Sequence, residues 1–257
     1  MFNFNLFDVK LETNTIGRNF IYLDEVDSTN SFILDKKNKV YEDGTVVFAE
    51  KQTRGRGRKN RIWYSEKGLN LNFSILITNK YFFDKKFNLL NLGVSLAVAN
   101  SIERLSSIQT SVKWPNDILI KGKKTAGILL EAISQGSKIE KLVIGIGVNI
   151  NQTFFNGEFN YPPTSIRLEC RENIEREKFL AEILNHFEDM LLKIISKPES
   201  IPADWRNKCD MMGKRITITQ ENKTLSGIFE DIDDNGFLIL RTQKKKEKIH
   251  FGDVGLG

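Results

Sequence analysis

The chain has 257 residues, 40% of them hydrophobic, and a formal net charge of +5, which suits one sizeable core with a small additional domain. Two cysteines, Cys170 and Cys209, and two histidines argue against a disulfide framework or a structural zinc site. No apolar run of 18 residues and no signal-peptide pattern occurs, so we expect a cytoplasmic, soluble protein without a membrane partner.

The first part of the chain is predicted to contain short strands and one long helix. Residues 1–20 are interpreted as a lead-in to a strand at 20–23. Ser28-Thr29-Asn30 is typical of a cap for a helix beginning near Ser31. Strands are expected at 45–50 and at 69–77, where strict alternation indicates a half-buried strand, and leucines at i, i+3, i+4 spacing predict a helix over 87–105.

A basic loop, residues 51–61, joins the strands at 45–50 and 69–77. It holds six basic side chains and no acid, so the rest of the chain sums to 5 − 6 = −1. Glycines alternate with arginines over 54–58, which lets the backbone approach a ligand closely while guanidinium groups bind its oxygens. The pattern predicts an anion-binding loop. A solvated loop, or an arm for DNA or RNA, is the alternative, and the position between two core strands disfavours it.

The middle of the chain contains a short charged bend. In Lys113-Trp114-Pro115-Asn116-Asp117 the proline imposes an extended or turn conformation, so Lys113 and Asp117 should flank a tight bend. A hairpin turn at 121–124 and strands at 125–131 and 142–151 should follow. Gly145 and Gly147 do not form a dinucleotide fingerprint, because Ile150 stands at the third position. Glycines inside a strand predict that another group packs against the backbone.

The last part of the chain is predicted to form a second domain. Residues 152–175 are interpreted as a loop and 179–194 as an amphipathic helix of about five turns, ended by Pro198 and Pro202. Strands at 215–219, 224–229, 236–240 and 246–251, with a hairpin turn at 233–236, predict a small SH3-like β-barrel. We therefore expect an α+β chain, with a catalytic domain over 1–205 and a β-domain over 206–257.

The chain contains five motifs in this order: Ser28-Thr29-Asn30, Gln52 to Trp63, Lys113 to Asp117, Lys124 to Leu129, and Gly145 to Asn149. Their order and spacing resemble those of the biotin–protein ligases, and the resemblance extends over essentially all of residues 20–255. It implies a catalytic domain of the class II aminoacyl-tRNA synthetase type, in which helices flank a mixed β-sheet. The 27 residues before Ser28 cannot hold the DNA-binding domain of bifunctional members, so the form resembles a monofunctional enzyme that binds no specific DNA.

The resemblance implies a two-step reaction that consumes biotin and ATP with Mg²⁺. Biotinyl-5′-adenylate forms first, and biotin then passes to a lysine of a biotin carboxyl carrier protein. The resemblance is compatible with a monomer and with a homodimer. A carboxylate must approach a polyphosphate, so cations have to offset their repulsion. A lipoate or octanoate ligase is the nearest alternative, but those enzymes lack the Lys-Trp-Pro-Asn-Asp signature. A nucleic-acid-binding protein using Arg54 to Arg61 is disfavoured, because the remaining chain carries no basic excess.

The resemblance also implies roles for individual residues. Arg56, Gly57 and Arg58 would close over the carboxylate and phosphate, and Asp117 would bind Mg²⁺, a cation that favours carboxylate oxygen. The implied catalytic residues are Lys113, Arg56 and Arg58. The implied biotin-binding residues are Ser28, Thr29, Asn30, Gln52, Arg56, Gly57, Arg58, Lys124 and Gly127, and the implied ATP-binding residues are Arg58, Arg61, Trp63, Lys113, Asn116 and Asn149.

Overall fold

The computed structural model describes residues 2–40, 42–83, 87–135, 138–157, 159, 161–220 and 223–256. Within these residues the larger sheet consists of β1 (Phe20–Val26), β2 (Val46–Gln52), β3 (Leu71–Ile77), β4 (Ser111–Lys113), β5 (Asp117–Ile120), β6 (Lys123–Gln135) and β7 (Lys138–Val148). Their order is β1-β2-β3-β7-β6-β5-β4, in which β1 and β2 are parallel and the other neighbours antiparallel. The predicted mixed sheet is confirmed.

The central strand β3 is buried on both faces, so the prediction of a half-buried strand is wrong. Leu71, Phe73, Ile75 and Ile77 enter the main core. The polar side chains of Asn72 and Ser74 are fully buried on the opposite face, where Leu76 joins a second, smaller core. A strand in which apolar and polar residues alternate has a solvent-exposed face only when no other element covers its polar side chains. In this protein a short helix, α2 (Thr29–Leu34), and the segment after the basic loop cover them.

Two long helices cover the apolar face of the sheet, as predicted: α3 (Phe87–Ser106) and α5 (Arg176–Ser196). The lead-in prediction is wrong, because α1 (Phe4–Lys10) forms there and Phe7 enters the core. The loop predicted over 152–175 contains a further short helix, α4 (Ile166–Cys170). None of the helices in the described ranges is long and apolar enough to cross a membrane.

A short helix connects the large sheet to the C-terminal part of the chain. This helix, α6 (Ser200–Lys208), contains Pro202 in its first turn, where the missing N–H breaks no intrahelical bond. Pro202 therefore does not mark the end of helical structure. The predicted domain boundary between 205 and 206 falls within α6 and stays a prediction. Trp205 is fully buried and donates a hydrogen bond from Nε1 to Ser95 Oγ of α3, at 3.2 Å.

The C-terminal part of the described chain forms a five-stranded antiparallel sheet. Four strands were predicted and the last was not. Gly236 lies in a turn with φ of +81°, so the third strand begins two residues later than predicted. Closure into an SH3-like barrel stays a prediction. The strands are β8 (Arg215–Gln220), β9 (Lys223–Ile232), β10 (Leu238–Arg241), β11 (Lys246–Ile249) and β12 (Asp253–Leu256), in the order β11-β10-β9-β8-β12.

Candidate active site

A cavity of about 640 Å³ lies between the polar face of the large sheet, the basic loop and β12. Every residue to which the resemblance gives a role in ligand binding or catalysis lines it. These residues come from five separate segments of the chain, so the fold, and not their spacing, brings them together. They are Ser28, Thr29, Asn30, Gln52, Arg56, Gly57, Arg58, Arg61, Trp63, Lys113, Asn116, Asp117, Lys124, Gly127 and Asn149.

One end of the cavity is polar and is built on the start of α2. Ser28 is the N-cap of this helix, as predicted, and it also lines the cavity. The backbone N–H and hydroxyl of Thr29 donate to Gln52 Oε1 at 2.9 and 3.2 Å. The hydroxyl of Ser74 lies 2.6 Å from Thr29 Oγ1. These bonds fix the side chains of Thr29 and Gln52 relative to β2 and β3.

The two glycines of β7 leave room for side chains from other elements, as predicted. A Cβ on Gly145 would collide with the amide of Asn30, and one on Gly147 would collide with the indole of Trp63. Asn30 donates from Nδ2 to Glu131 Oε2 at 2.7 Å. Trp63 donates from Nε1 to Asn72 Oδ1 at 3.1 Å. The indole is thus fixed flat against the sheet, where it forms an apolar wall.

The hairpin of β4 and β5 places two charges where the sequence predicted a bend. Lys113 and Asp117 are register partners, and their charged atoms, Nζ and Oδ2, are 3.6 Å apart. Lys124 Nζ lies 2.7 Å from the other oxygen of the same carboxylate. Only 6% of Lys113 is exposed. Burial lowers the pKa of Lys113, and the charge of Lys124 acts in the same direction, against the attraction of Asp117. The ammonium of Lys113 is therefore poorly hydrated.

The basic loop is held by carboxylates from both sheets. Near its start, Arg56 Nη2 lies 2.8 Å from Glu131 Oε2 on β6. Further along, Lys59 Nζ lies 3.1 Å and Arg58 Nη1 3.6 Å from the Asp253 carboxylate of β12, and Arg61 also pairs with it. The loop consequently crosses the cavity instead of extending into solvent.

Asp253 belongs to the C-terminal sheet, and no motif predicted that it would be part of the site. Burial opposes its ionisation, but the hydrogen bond from Lys59 and the charges of Arg61 and Arg58 hold the pKa of Asp253 below its ordinary value. Arg58 Nη2 and Lys59 Nζ also donate to the backbone carbonyls of Gly252 and Thr219, at 3.1 and 3.2 Å. The C-terminal sheet therefore forms one side of the site.

The charge and the unpaired groups of the cavity suit an anionic ligand. Among the described residues that line it, five carry positive charge and two, Asp117 and Asp253, carry negative charge, which leaves a formal charge of +3. Two buried atoms at the cavity have no hydrogen-bond partner within the described part of the chain: Arg56 Nε, a donor, and Asn149 Oδ1, an acceptor. Buried polar atoms are normally paired, so both point to a ligand as the partner.

Asp117 is the residue predicted to bind magnesium. Across the described ranges, no group of three or more His, Cys, Asp or Glu side chains could hold a metal ion. Magnesium in nucleotide-binding enzymes is held by one or two carboxylates, with phosphates and water completing the octahedron. Asp117 fits a magnesium ion that arrives with a nucleotide, and does not by itself form a resident metal site.

Sequence reasoning missed several cavity residues besides Asp253. A segment predicted as an undefined loop contributes Phe155, Phe159 and Tyr161, and the ring of Tyr161 lies 4.3 Å from Lys113 Nζ. The concentration of aromatic residues in a loop between a glycine-rich strand and a helix was the available signal. Asn72 and Ser74 are not among the described residues that line the cavity, but they bind Trp63 and Thr29, which do. The polar residues that alternate along β3 were the signal for them.

A ligand-enclosing cavity on a mixed sheet, crossed by a basic loop and completed by a C-terminal β-domain, defines the class of protein. The chain belongs to the biotin/lipoate A/B protein ligase family, which matches residues 22–149, and residues 212–257 match the biotin protein ligase C-terminal domain. The core and the β-domain therefore both agree with the resemblance seen in the motifs.

Individual relatives agree with the family. The bifunctional ligase/repressor BirA of Bacillus subtilis is 35% identical over 250 residues, which cover 96% of this chain and 77% of that protein. The biotin–[acetyl-CoA-carboxylase] ligase of Mycobacterium tuberculosis is 29% identical, covering 88% of this chain and 85% of that one. The solved biotin protein ligase of Aquifex aeolicus, in complex with biotin and ATP, superposes with a TM-score of 0.82 at 29% identity, covering 93% and 99% of the two chains.

Proposed function

We propose that the protein is a biotin–protein ligase. It activates biotin with ATP to biotinyl-5′-AMP and transfers the biotinyl group to a lysine of a biotin carboxyl carrier protein. The observation that carries the proposal is the assembly, in one cavity of formal charge +3, of every residue to which the resemblance gives a role. The named function of the relatives, and the biotin and ATP bound in the Aquifex structure, support the same reaction.

The first step joins two anions. An oxygen of the biotin carboxylate attacks the α-phosphorus of ATP, and the bond from that phosphorus to the pyrophosphate oxygen breaks. Arg56 and Arg58 on the loop and Lys113 on the hairpin approach the cavity from different sides, so they can bind the carboxylate and the α-phosphate together. Fixed cations in a site that excludes water stabilise the developing charge more than mobile counterions in solvent do. Magnesium held by Asp117 would offset charge on the phosphates.

The polar end of the cavity suits the ureido ring of biotin. Ser28, Thr29, Asn30 and Gln52 supply hydroxyl and amide groups in fixed positions around the start of α2. Lys124 and Gly127 lie nearer the charged hairpin, and Lys124 would contact the carboxylate end of the ligand. Biotin would thus lie with its ring at α2 and its carboxylate below the basic loop.

The opposite part of the cavity suits adenosine. The flat wall of Trp63 can pack against the base, and the unpaired Oδ1 of Asn149 can accept a hydrogen bond from its exocyclic amine. Asn116 Oδ1 lies 3.5 Å from Arg58 Nη1, and with Arg61 it would help to place the phosphates. These assignments place the predicted side chains along one extended adenylate.

In the second step the carrier lysine amine attacks the acyl carbon of biotinyl-5′-AMP. The amide bond forms, the acyl–phosphate bond breaks, AMP leaves and the amine loses a proton. The acceptor is a carrier domain of a biotin-dependent carboxylase. We assign the enzyme to the cytoplasm, where ATP is available. Both cysteines are free thiols, as a reducing compartment requires. The protein acts as a monomer or a homodimer.

The proposal is tested by biotin-dependent exchange of labelled pyrophosphate into ATP. Exchange with biotin is expected, whereas exchange only with lipoate or octanoate would support the alternative ligase. We also propose that the chain does not recognise operator DNA. A biotin-operon promoter fragment should not be retarded by the protein with biotin and ATP present, once competitor DNA removes non-specific binding by the basic loop.

A further inference from the structure

Glu131 on β6 connects two parts of the site through one oxygen atom. Its Oε2 accepts from Asn30 Nδ2 at 2.7 Å and from Arg56 Nη2 at 2.8 Å. Asn30 lies at the polar end of the cavity, and Arg56 lies in the basic loop. Glu131 itself is not among the described residues that line the cavity, so its carboxylate can act only through these two partners.

The Asn30 side of this connection is fixed by the fold. Asn30 is 3% exposed, its Nδ2 also donates to the Leu129 carbonyl at 3.3 Å, and the Ser74 hydroxyl lies 2.5 Å from its Oδ1. Gly145 leaves the space that the amide fills. Rotation of this amide would break all of these contacts. The donor to Glu131 therefore has one position, and it holds the carboxylate in place.

Arg56 has the more exposed side chain of the two partners. The side chain of Arg56 is 37% exposed, on a glycine-flanked segment, and needs an external contact to select one rotamer. A guanidinium has five donors, so one bond to Glu131 leaves the others for a ligand. The buried, unpaired Nε is one of these. A carboxylate that binds one edge of the guanidinium directs its remaining donors into the cavity.

We propose that Glu131 is a positioning residue that orients Arg56 toward the carboxylate of biotin. The inference rests on the proposed function for the identity of the ligand and on the structure for the position of Arg56. Glu131 supplies a fixed negative charge outside the cavity, and Arg56 makes the ligand contact. Replacing the charge while keeping the shape, as in Glu131→Gln, should release Arg56 and leave an amide oxygen that can still accept from Asn30.

A double-mutant cycle tests whether Glu131 acts through Arg56. Glu131→Gln should raise the dissociation rate of biotinyl-5′-AMP about 3- to 10-fold in the wild-type background and by less than about 1.5-fold in Arg56→Ala, because coupled residues are non-additive. If Glu131→Gln raises the dissociation rate by the same factor in the wild-type and the Arg56→Ala backgrounds, the inference is overturned. Glu25→Gln is the matched control: it removes an ion pair of 2.7 Å to Lys51, which lies in β2 and away from the cavity, and should change neither rate.

A second readout needs no catalysis. In the ligand-free protein, tryptic cleavage after Arg56, followed by mass spectrometry, should become about 3- to 10-fold faster in Glu131→Gln and stay unchanged in Glu25→Gln. Unchanged cleavage in Glu131→Gln would overturn the inference even if the enzyme is active. A wild-type protein that forms no adenylate would reject the proposed function, and the cleavage rates would still decide whether Glu131 positions Arg56.

Discussion

The indole of Trp63 lies directly on the backbone of Gly147, in space that any larger residue at 147 would occupy. Trp63 follows the basic loop and Gly147 belongs to the central part of the sheet. The contact therefore fixes the end of the basic loop on the sheet and shapes the wall to which we assign the adenine.

Gly147→Ala tests this relationship. The added methyl group cannot fit beside the indole, so Trp63 must move, and the free energy of unfolding should fall by about 1–3 kcal/mol, as for other overpacked sites. ATP binding, measured by calorimetry without biotin so that no adenylate forms, should weaken at the same time. Gly255→Ala is the control, because its new Cβ would lie 3.9 Å from the Thr217 carbonyl. Normal ATP binding by Gly147→Ala would contradict the assignment of the wall.

Arg58→Gly should loosen the hold on the adenylate. Removing one charge-assisted hydrogen bond costs roughly 1.5–3 kcal/mol, or about 10- to 150-fold in affinity. The rate of adenylate release measures it, and circular dichroism checks that the fold persists. Lys59→Ala is a matched variant. Lys59 lies in the same loop as Arg58 and also pairs with Asp253, but it is not among the described residues that line the cavity. Equal release from both variants would show that Arg58 has no special contact.

Lys113→Ala should slow adenylation by on the order of 10²-fold or more, the scale of a lost electrostatic donor. Biotin affinity without ATP should barely change, because Lys113 lies at the charged hairpin and not at the polar end. Calorimetry for biotin and single-turnover formation of labelled adenylate measure the two quantities. The alternative is that Lys113 only neutralises Asp117, in which case adenylation would remain near normal.

The pH dependence of adenylation should also report Lys113. Its pKa lies below the ordinary value of 10.5, mainly through burial. In the window between the lowered pKa and 10.5 the folded protein binds fewer protons than the unfolded chain, so stability should rise with pH there. Activity should fall over the same window as the ammonium is lost. The guanidinium of Lys113→Arg keeps its charge in this range, so the fall of kcat/KM at alkaline pH should occur at higher pH in this variant than in the wild type. If the fall occurs at the same pH in both proteins, another group is responsible for the titration.

Asp253→Asn should free the basic loop from the C-terminal sheet. Three cations lose their common carboxylate, so tryptic cleavage within the loop should become roughly 3- to 10-fold faster, the effect expected of partly exposed pairs. Asp233→Asn is a control in the same sheet: Asp233 pairs with Lys248 at 2.5 Å, and its side chain is 24% exposed, against 20% for Asp253. If both variants are cleaved alike, the effect comes from general loosening of the sheet.

Local sequence determined the parts of the site that depend on neighbouring residues. Proline after Trp114 was enough to place Lys113 and Asp117 on either side of a bend, because a turn of this length is set by its own backbone. The glycines of β7 predicted close packing against the strand, which Asn30 and Trp63 provide. The arginines of the basic loop predicted an anion site, because their charge is concentrated there.

Only the tertiary structure decided which distant groups complete the site. Arg61 and Asp253 are 192 residues apart, and Arg56 and Glu131 are 75 apart, so no local pattern pairs them. The polar face of β3 shows the same limit. Alternation reveals that one face is polar, but whether that face meets water or a covered cavity depends on what packs over it. Ion pairs and buried polar contacts are chosen by proximity in the folded chain, and sequence spacing does not encode that proximity.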